Sequence, residues 1–497
     1  MKRCSLLILS LLSGFVFAED TKNKKPNILW LFCDDMAVNA IGAYGSRFAD
    51  MNFTQNIDGL ARDGMRFDKT YVCNSVCAPS RAALLTGKHS HKNGKYGNVE
   101  KFNHDQMQFQ KLIGKGGYQS ALFGKTHLQG EIQGFDHWET LPGHGKYINP
   151  ALLTVEGKVN HEGHSSDVIT NRALEWYNEK RDKDKPFMLM VHYKAPHRAW
   201  IPAPRFVEKF KNTVFPEPET LFDDYKTRDM AVQHSMGIRE HMNLEKDLKT
   251  NIWEHRKYLL NKDLSKEELT RQKYQAYMRD YFACVAGVDE NVGRLLDQLK
   301  ADGIDDNTIV MFSSDQGFYL GEHGWFDKRW MYEESFRTPY IVKWPGVTKP
   351  GSVNTDLCQN IDFAETFLDI AGVEAPSDMQ GESLVPLFEG ETPKDWRKSL
   401  YYHYYMEGHG VTMHDGVSTG DYKLIKFYGK KAKGKDHWEF YDLKNDPAEM
   451  NNLYNNPEMA SKIKEMKEEY ASIRDYYEVP DERVVMVKRD KSKKNKK

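Results

Sequence analysis

Five short apolar runs, each breaking off in polar or small residues, constrain this chain more than any other feature. They are PNILWLFCDD (26–35), QSALFGK (119–125), PFMLMVHYKAPH (186–197), NTIVMFSSDQG (307–317) and TPYIVKWPG (338–346). Each is of strand length, and unbroken apolar character means burial on both faces, as in a parallel sheet. Helical patterns lie between them. SSDVITNRALEWYNEKRD opens on serines and an acid, then spaces Val168, Ala173, Leu174 and Trp176 along one face. A longer pattern over 267–303 stops at Gly303. Strands alternating with helices predict an α/β fold, a large mostly parallel sheet covered by helices on both faces. Function in such sheets gathers at the carboxyl ends of the strands. The polar groups after each run therefore converge on one edge.

Other segments break the alternation. Residues 205–268 are polar and charge-rich, and read either as an excursion over the functional edge or as a helical surface insertion. From about 398 the pattern changes to short aromatic strands, SLYYHYY, GVSTGDYKLIKFYG and HWEFYDL, followed by a helix near 457–476. This predicts a smaller C-terminal antiparallel sheet plus helix. The last residues, VKRDKSKKNKK, are basic with no apolar face and are expected to be disordered. At the other end, Lys2 and Arg3 precede SLLILSLLSGFVF and Ala18, the pattern of a secretory signal cut after VFA. The expected organisation is a signal peptide at 1–18, a catalytic α/β domain at 19–395, a C-terminal α+β subdomain at 396–482 and a basic tail at 483–497. The expected location is exported, periplasmic or secreted, with no integral membrane segment. A formal net charge of −2 gives no global field that would select nucleic acid. Cleavage leaves Cys33, Cys73, Cys77, Cys284 and Cys358, an odd count, so at least one thiol stays unpaired.

Asp34 and Asp35 close the first run, and Asp315 and Gln316 close a later one. Three carboxylates and an amide carbonyl crowded on one edge cannot all stay charged without a positive partner. A hard divalent cation meets that need, and oxygen-only ligands favour calcium, or magnesium, over zinc. Lys125 and His127 follow another run, Lys194 and His197 follow a third, and Lys328 lies beyond DQG. Cations and a metal around one cavity suit a tetrahedral oxyanion, sulfate or phosphate. The stretch CAPSRAALLTG (77–87) puts Cys77, Pro79, Ser80 and Arg81 in a tight run. None of these packs well in a core, and Pro79 is expected to break any helix through it.

That stretch resembles the C-x-P-S-R-x-x-x-x-T-G signature of the type I sulfatases, in the alkaline phosphatase superfamily. PNILWLFCDD, FGKTHL, KAPH, SSDQG and the closing YDLKNDPAEMNNL extend the resemblance over most of the chain. It implies that Cys77 is oxidised to formylglycine (3-oxoalanine) by a dedicated maturation enzyme. It implies calcium ligation by Asp34, Asp35, Asp315, Gln316 and the modified Cys77. Many family members carry asparagine where this chain has Gln316. The resemblance assigns Arg81 and Lys125 to holding the hydrated aldehyde, and His127 to taking a proton from its second hydroxyl. His197 and Lys328 would grip the sulfate and protonate the leaving oxygen. One hydroxyl of the hydrate attacks sulfur, and the second lets the carbonyl re-form and expel sulfate, which serine could not do.

Arg198, Trp200 and Arg205 follow KAPH; His323 and Trp325 precede Lys328; His414 and Asp415 precede GDYKLI. Aromatic and cationic groups at a cleft mouth suit a sugar bearing acidic groups, so Arg198, His323 and His414 are candidate substrate-binding residues. The stretch 315–346 looks like sulfatases acting on carbohydrates such as algal galactans or ulvans, glycosaminoglycans and mucin glycans. The expected function is hydrolysis of sulfate esters on a sulfated carbohydrate. The alternatives are a phosphonate monoester or phosphodiester hydrolase of the same superfamily, and a non-catalytic protein that binds sulfated glycans.

Overall fold

A computed structural model describes residues 25–408 and 410–481. The signal segment and the basic tail read from the sequence lie outside the described residues. A sheet of ten strands forms the centre: β1 (Asn27–Cys33), β2 (Met65–Phe67), β3 (Gln119–Gly124), β4 (His137–Thr140), β5 (Ala151–Thr154), β6 (Gly157–Asn160), β7 (Phe187–His192), β8 (Thr308–Ser314), β9 (Tyr340–Lys343) and β10 (Ser352–Asn354). Their spatial order is β10-β2-β9-β8-β1-β7-β3-β4-β5-β6. The five strands β8-β1-β7-β3-β4 run parallel, with Leu31 of β1 between Val191 and Phe312.

Both faces of β1 are buried, which is why its sequence shows no polar alternation. Leu29, Leu31 and Cys33 enter one core with Tyr281, Phe282 and Val285 of a long helix. Ile28, Trp30 and Phe32 enter another with Ala78, Ala82, Phe363 and Phe367. Fully burying a large side chain of this kind contributes about 1.5–3 kcal/mol. Four helices matter here: α1 (Gln55–Asp63), α2 (Cys77–Thr86), α3 (Ser165–Glu175) and α4 (Lys266–Ala301). Helix α4 starts at a reciprocal capping box between Ser265 and Glu268, and Gly303 just beyond its end takes a φ of 64°.

Two expectations about single runs change. TPYIVK forms β9, but β9 runs antiparallel to both β8 and β2. The chain between β8 and β9 carries site residues and a helix of only four residues, Glu333–Phe336, rather than a crossover helix. GVSTGDYKLIKFYG is not one strand. It divides at a turn where Gly420 takes a φ of 77° and its N–H donates to the Ser418 hydroxyl, 3.2 Å away.

The C-terminal sheet is antiparallel, in the order β11 (Leu400–Tyr404), β12 (Met413–Ser418), β13 (Tyr422–Tyr428) and β14 (His437–Asp442). Helix α5 (Ala460–Tyr476) covers one face through Ile463, Met466, Tyr470 and Ile473. The other face packs on Trp325, Trp330, Tyr332 and Phe336. The small sheet thus backs the segment that follows β8. All five cysteines named above are free and buried.

Candidate active site

Register alone brings the acids together. Cys33 lies opposite Ser314 in the β1–β8 pair, so the residues after each strand leave the sheet side by side. Asp35 then turns into left-handed space with a φ of 69°, and its N–H donates to Asp315 Oδ1 at 3.1 Å. One carboxylate oxygen each from Asp34, Asp35 and Asp315 lies within 4.8 Å of the others, and all three residues are fully buried. Each acid also meets a buried cation. Lys125 donates to Asp34, Arg81 Nε to Asp315 Oδ2 at 2.9 Å, and Lys328 Nζ to both oxygens of Asp35 at 2.5 Å. Burial pushes the Asp35 carboxyl up to about 6, with Lys328 pulling the other way.

Cys77 is the first residue of α2, and Val76 before it is extended. Pro79 does not break this helix, contrary to the sequence expectation. It sits in the first turn, where a backbone N–H has no intrahelical partner to lose. Nor is the run excluded from the core: every residue from Cys77 to Thr86 is buried. The polar ones are satisfied locally. Ser80 donates to the Asp315 carbonyl and receives Asn360 Nδ2 at 2.8 Å. Arg81 also donates to the Lys125 and Cys33 carbonyls, tying the helix to two strand ends. Gln316 Nε2 stands 3.7 Å from Cys77 Sγ and also donates to Asp35. Burial raises the Cys77 thiol to about 12, as does the charge of Asp315, while Lys328 opposes it.

The bases close the other side. His197 Nδ1 points at the Arg198 carbonyl, which can only accept, so Nδ1 carries the hydrogen and Nε2 is left facing Asp35 Oδ2 at 3.8 Å. Asp34, Cys77 and His197 each offer a ligand atom within 4.8 Å of the others. His127 takes a φ of 55°, and its buried Nδ1 has no protein partner. His144 lies between the two, with ring centroids 4.0 Å from His127 and 5.1 Å from His197. The sequence reading missed His144, because it lies outside every strand-end motif. Lys194 is buried with its ammonium 4.7 Å from the Tyr147 ring centroid; burial lowers it to about 8, against the charges of Asp35 and Cys77.

The candidate cleft-mouth residues behave differently. Arg198 is partly exposed and held by Asp247 in a two-pronged pair at 2.7 Å. His323 is wholly buried, with Nδ1 2.9 Å from Asp223 and 3.0 Å from Arg228. His414 is also wholly buried, stacked between Trp330 and Tyr402 with Nδ1 on the Thr412 carbonyl. Trp200 and Trp325 have no exposed surface either. His323 and His414 therefore do not form a cleft mouth: aromatic packing between the C-terminal sheet and the segment after β8 takes them inward. Asp223, Arg228 and Asp247 all come from the 205–268 excursion, which braces this side of the centre.

Two buried oxygens test whether these residues suit a metal. Asp34 Oδ1 and Gln316 Oε1 are shielded from solvent and receive no hydrogen bond. Unpaired buried acceptors are costly, about 1–3 kcal/mol each. Beside the Asp35 and Asp315 carboxylates they make an oxygen-only donor set, which fits a hard divalent cation.

A buried acid cluster, opposed cations and a buried cysteine at a helix start, all at the carboxyl edge of a parallel sheet, suit a hydrolase for oxyanion esters. The sulfatase family model matches residues 26–373, and the model named N-sulphoglucosamine sulphohydrolase, C-terminal, matches 321–476. The chain belongs to the sulfatase family, enzymes that hydrolyse sulfuric esters. It is 45% identical to an N-acetylglucosamine-6-O-sulfatase of Bacteroides thetaiotaomicron, over 90% of this chain and 85% of that one. It is 28% identical to the human N-acetylglucosamine-6-sulfatase, over 82% and 73% of the two chains. A solved structure of an enzyme in complex with its substrate D-glucosamine-2-N,6-O-disulfate superposes with a TM-score of 0.86 at 44% identity, covering 92% of this chain and 99% of that one.

Proposed function

We propose that this chain is an exported, calcium-dependent sulfatase that removes the 6-O-sulfate of glucosamine units in sulfated glycans. The observation that carries this reading is the meeting of Cys77, at the start of α2, with the oxygens of Asp34, Asp35 and Asp315 and with His197. The substrate rests on the relatives, which act on or bind 6-sulfated glucosamine. Export rests on the N-terminal pattern alone. No described helix is long and apolar enough to cross a membrane.

Asp34, Asp35, Asp315 and Gln316 would hold calcium, which when bound supplies positive charge to a sulfate and lowers the pKa of an oxygen nucleophile. Cys77, converted to formylglycine by a maturation enzyme, would supply a carbon with two hydroxyls, one to attack sulfur and one to release sulfate. The rest is the work of residues in place. Arg81 fixes the start of α2 against the ends of β1 and β3. Lys125 donates to Asp34, whose carboxylate lies within 4.8 Å of Cys77 Sγ, and from there its ammonium would steady an oxyanion on residue 77. His127, with a free buried nitrogen, takes the proton of the second hydroxyl. Lys328 grips sulfate oxygens from beside Asp35. His197 keeps Nδ1–H on its own backbone, so Nε2 must first take up a proton, favoured by the negative charge of Asp35 and of a bound sulfate, and that proton then passes to the leaving sugar oxygen. Such general acid help is typically worth ~10²–10⁴-fold.

Two measurements test the reading. Mass spectrometry of the Cys77 peptide from a maturation-competent host should show the thiol mass replaced by an aldehyde or its hydrate. Sulfate release should be fastest from 6-O-sulfated N-acetylglucosamine. Retained thiol mass in active enzyme, or faster cleavage of phosphonate and phosphate esters, would overturn it.

A further inference from the structure

Beside the catalytic centre lies a cavity of about 300 Å³ with no part in the mechanism above. Its polar lining is His144, Lys146, Asn149, Lys158 and Asn160, with no carboxylate among the lining residues. It sits under the hairpin of β5 and β6 at the far edge of the main sheet. Lys146 and Lys158 are both exposed, and among the described residues neither ammonium has an ion pair or hydrogen bond. Most other basic residues around the centre do: Arg81, Lys125, Arg198 and Lys328 each face an acid. His144 belongs to both places. It lines the cavity, and its ring packs between His127 and His197.

We infer that this cavity binds a second anionic group of the substrate, a sulfate or carboxylate on the same sugar or the next one. The inference rests on the glycan reading above and adds a preference for multiply charged chains. Two unpaired ammonium groups without a neighbouring acid on the lining attract an anion and pay nothing to release a partner. The two asparagines offer amide donors of the kind that fix a sulfate or carboxylate in orientation. His144 lines the cavity and packs against His127 and His197, so the anion and the sulfate being cleaved would lie on either side of one ring and one substrate would span both.

The test uses the full chain with Cys77→Ala, which cannot turn over. Calorimetry would compare 6-O-sulfated N-acetylglucosamine, glucosamine-2-N,6-O-disulfate, and a disaccharide joining the 6-O-sulfated sugar to a uronic acid. The two doubly charged ligands separate a second sulfate from a carboxylate as the group bound. At least one should bind roughly fivefold to tenfold tighter than the singly charged ligand, and less so at high salt. Adding Lys146→Ala and Lys158→Ala should erase that preference, while the two Lys→Arg changes should keep it. An unchanged preference in the double alanine variant, or no preference in the parent, overturns the inference. An immobilised polysulfated polymer gives a readout independent of glucosamine, since the parent should elute at higher salt than the double alanine variant. A salt difference there without binding of any glucosamine ligand would sink the glucosamine reading and keep the groove. Equal elution would sink the groove.

Discussion

Replacing Gln316 with leucine separates a ligand role from a structural one. In the protein alone, Gln316 donates to Asp35, approaches Cys77 Sγ at 3.7 Å and leaves Oε1 buried without a partner. Gln316→Leu keeps the shape. It loses one hydrogen bond, about 1 kcal/mol, and removes an orphaned acceptor costing about 1–3 kcal/mol. Stability without metal should therefore stay level or rise by up to about 2 kcal/mol. With calcium the outcome differs. A bound ion at a hundred times its Kd stabilises the fold by about 2.7 kcal/mol. Losing one of four side-chain ligands should raise Kd on the order of a hundredfold, leaving only about 0.4 kcal/mol at the same concentration. Urea unfolding with calcium and with a chelator reads both states, and an unchanged m-value keeps the comparison valid. A variant that calcium stabilises as strongly as the parent would refute the assignment of Gln316 Oε1. So would a variant destabilised by several kcal/mol in chelator, because Gln316 would then be a structural residue.

Three further outcomes follow from the same contacts. Cys77→Ala should abolish sulfate release and leave the circular dichroism and unfolding midpoint near those of the parent; residual turnover near normal would remove Cys77 from the chemistry. Arg81→Ala strips a buried Asp315 carboxylate of its cation and should cost about 3–5 kcal/mol in urea unfolding, with Arg81→Lys recovering part of it. Asp289→Ala on α4 should cost about 1–2 kcal/mol without changing sulfate release per folded molecule, because Asp289 rather than Thr54 accepts the Asn56 and Ile57 N–H groups that start α1.

The strand-end motifs were legible because a parallel sheet converts sequence order into spatial convergence. Apolar runs buried on both faces must lie inside, and in-register pairing then carries whatever follows them to one edge. Asp34, Asp35, Lys125, His197 and Asp315 needed only that argument. Cys77 and Arg81 were found through their motif, but the inference that Pro79 excludes a helix failed. A first helical turn has N–H groups to spare, and only the boundary at Val76 showed where that turn begins. The pairing direction of β9 was likewise hidden, since an apolar run reads alike in either direction.

The amino-acid order by itself determined the alternation of strands and helices, the separate C-terminal sheet and the set of acids and bases at the strand ends. These depend on local periodicity and on neighbours in sequence. Tertiary structure alone decided which cations face which acids, and that His323 and His414 turn into the interior while His144 turns toward His127. Most of those outcomes depend on packing between segments distant in sequence, such as Asp223 against His323, 100 residues apart. No local pattern encodes how two distant surfaces share one buried volume.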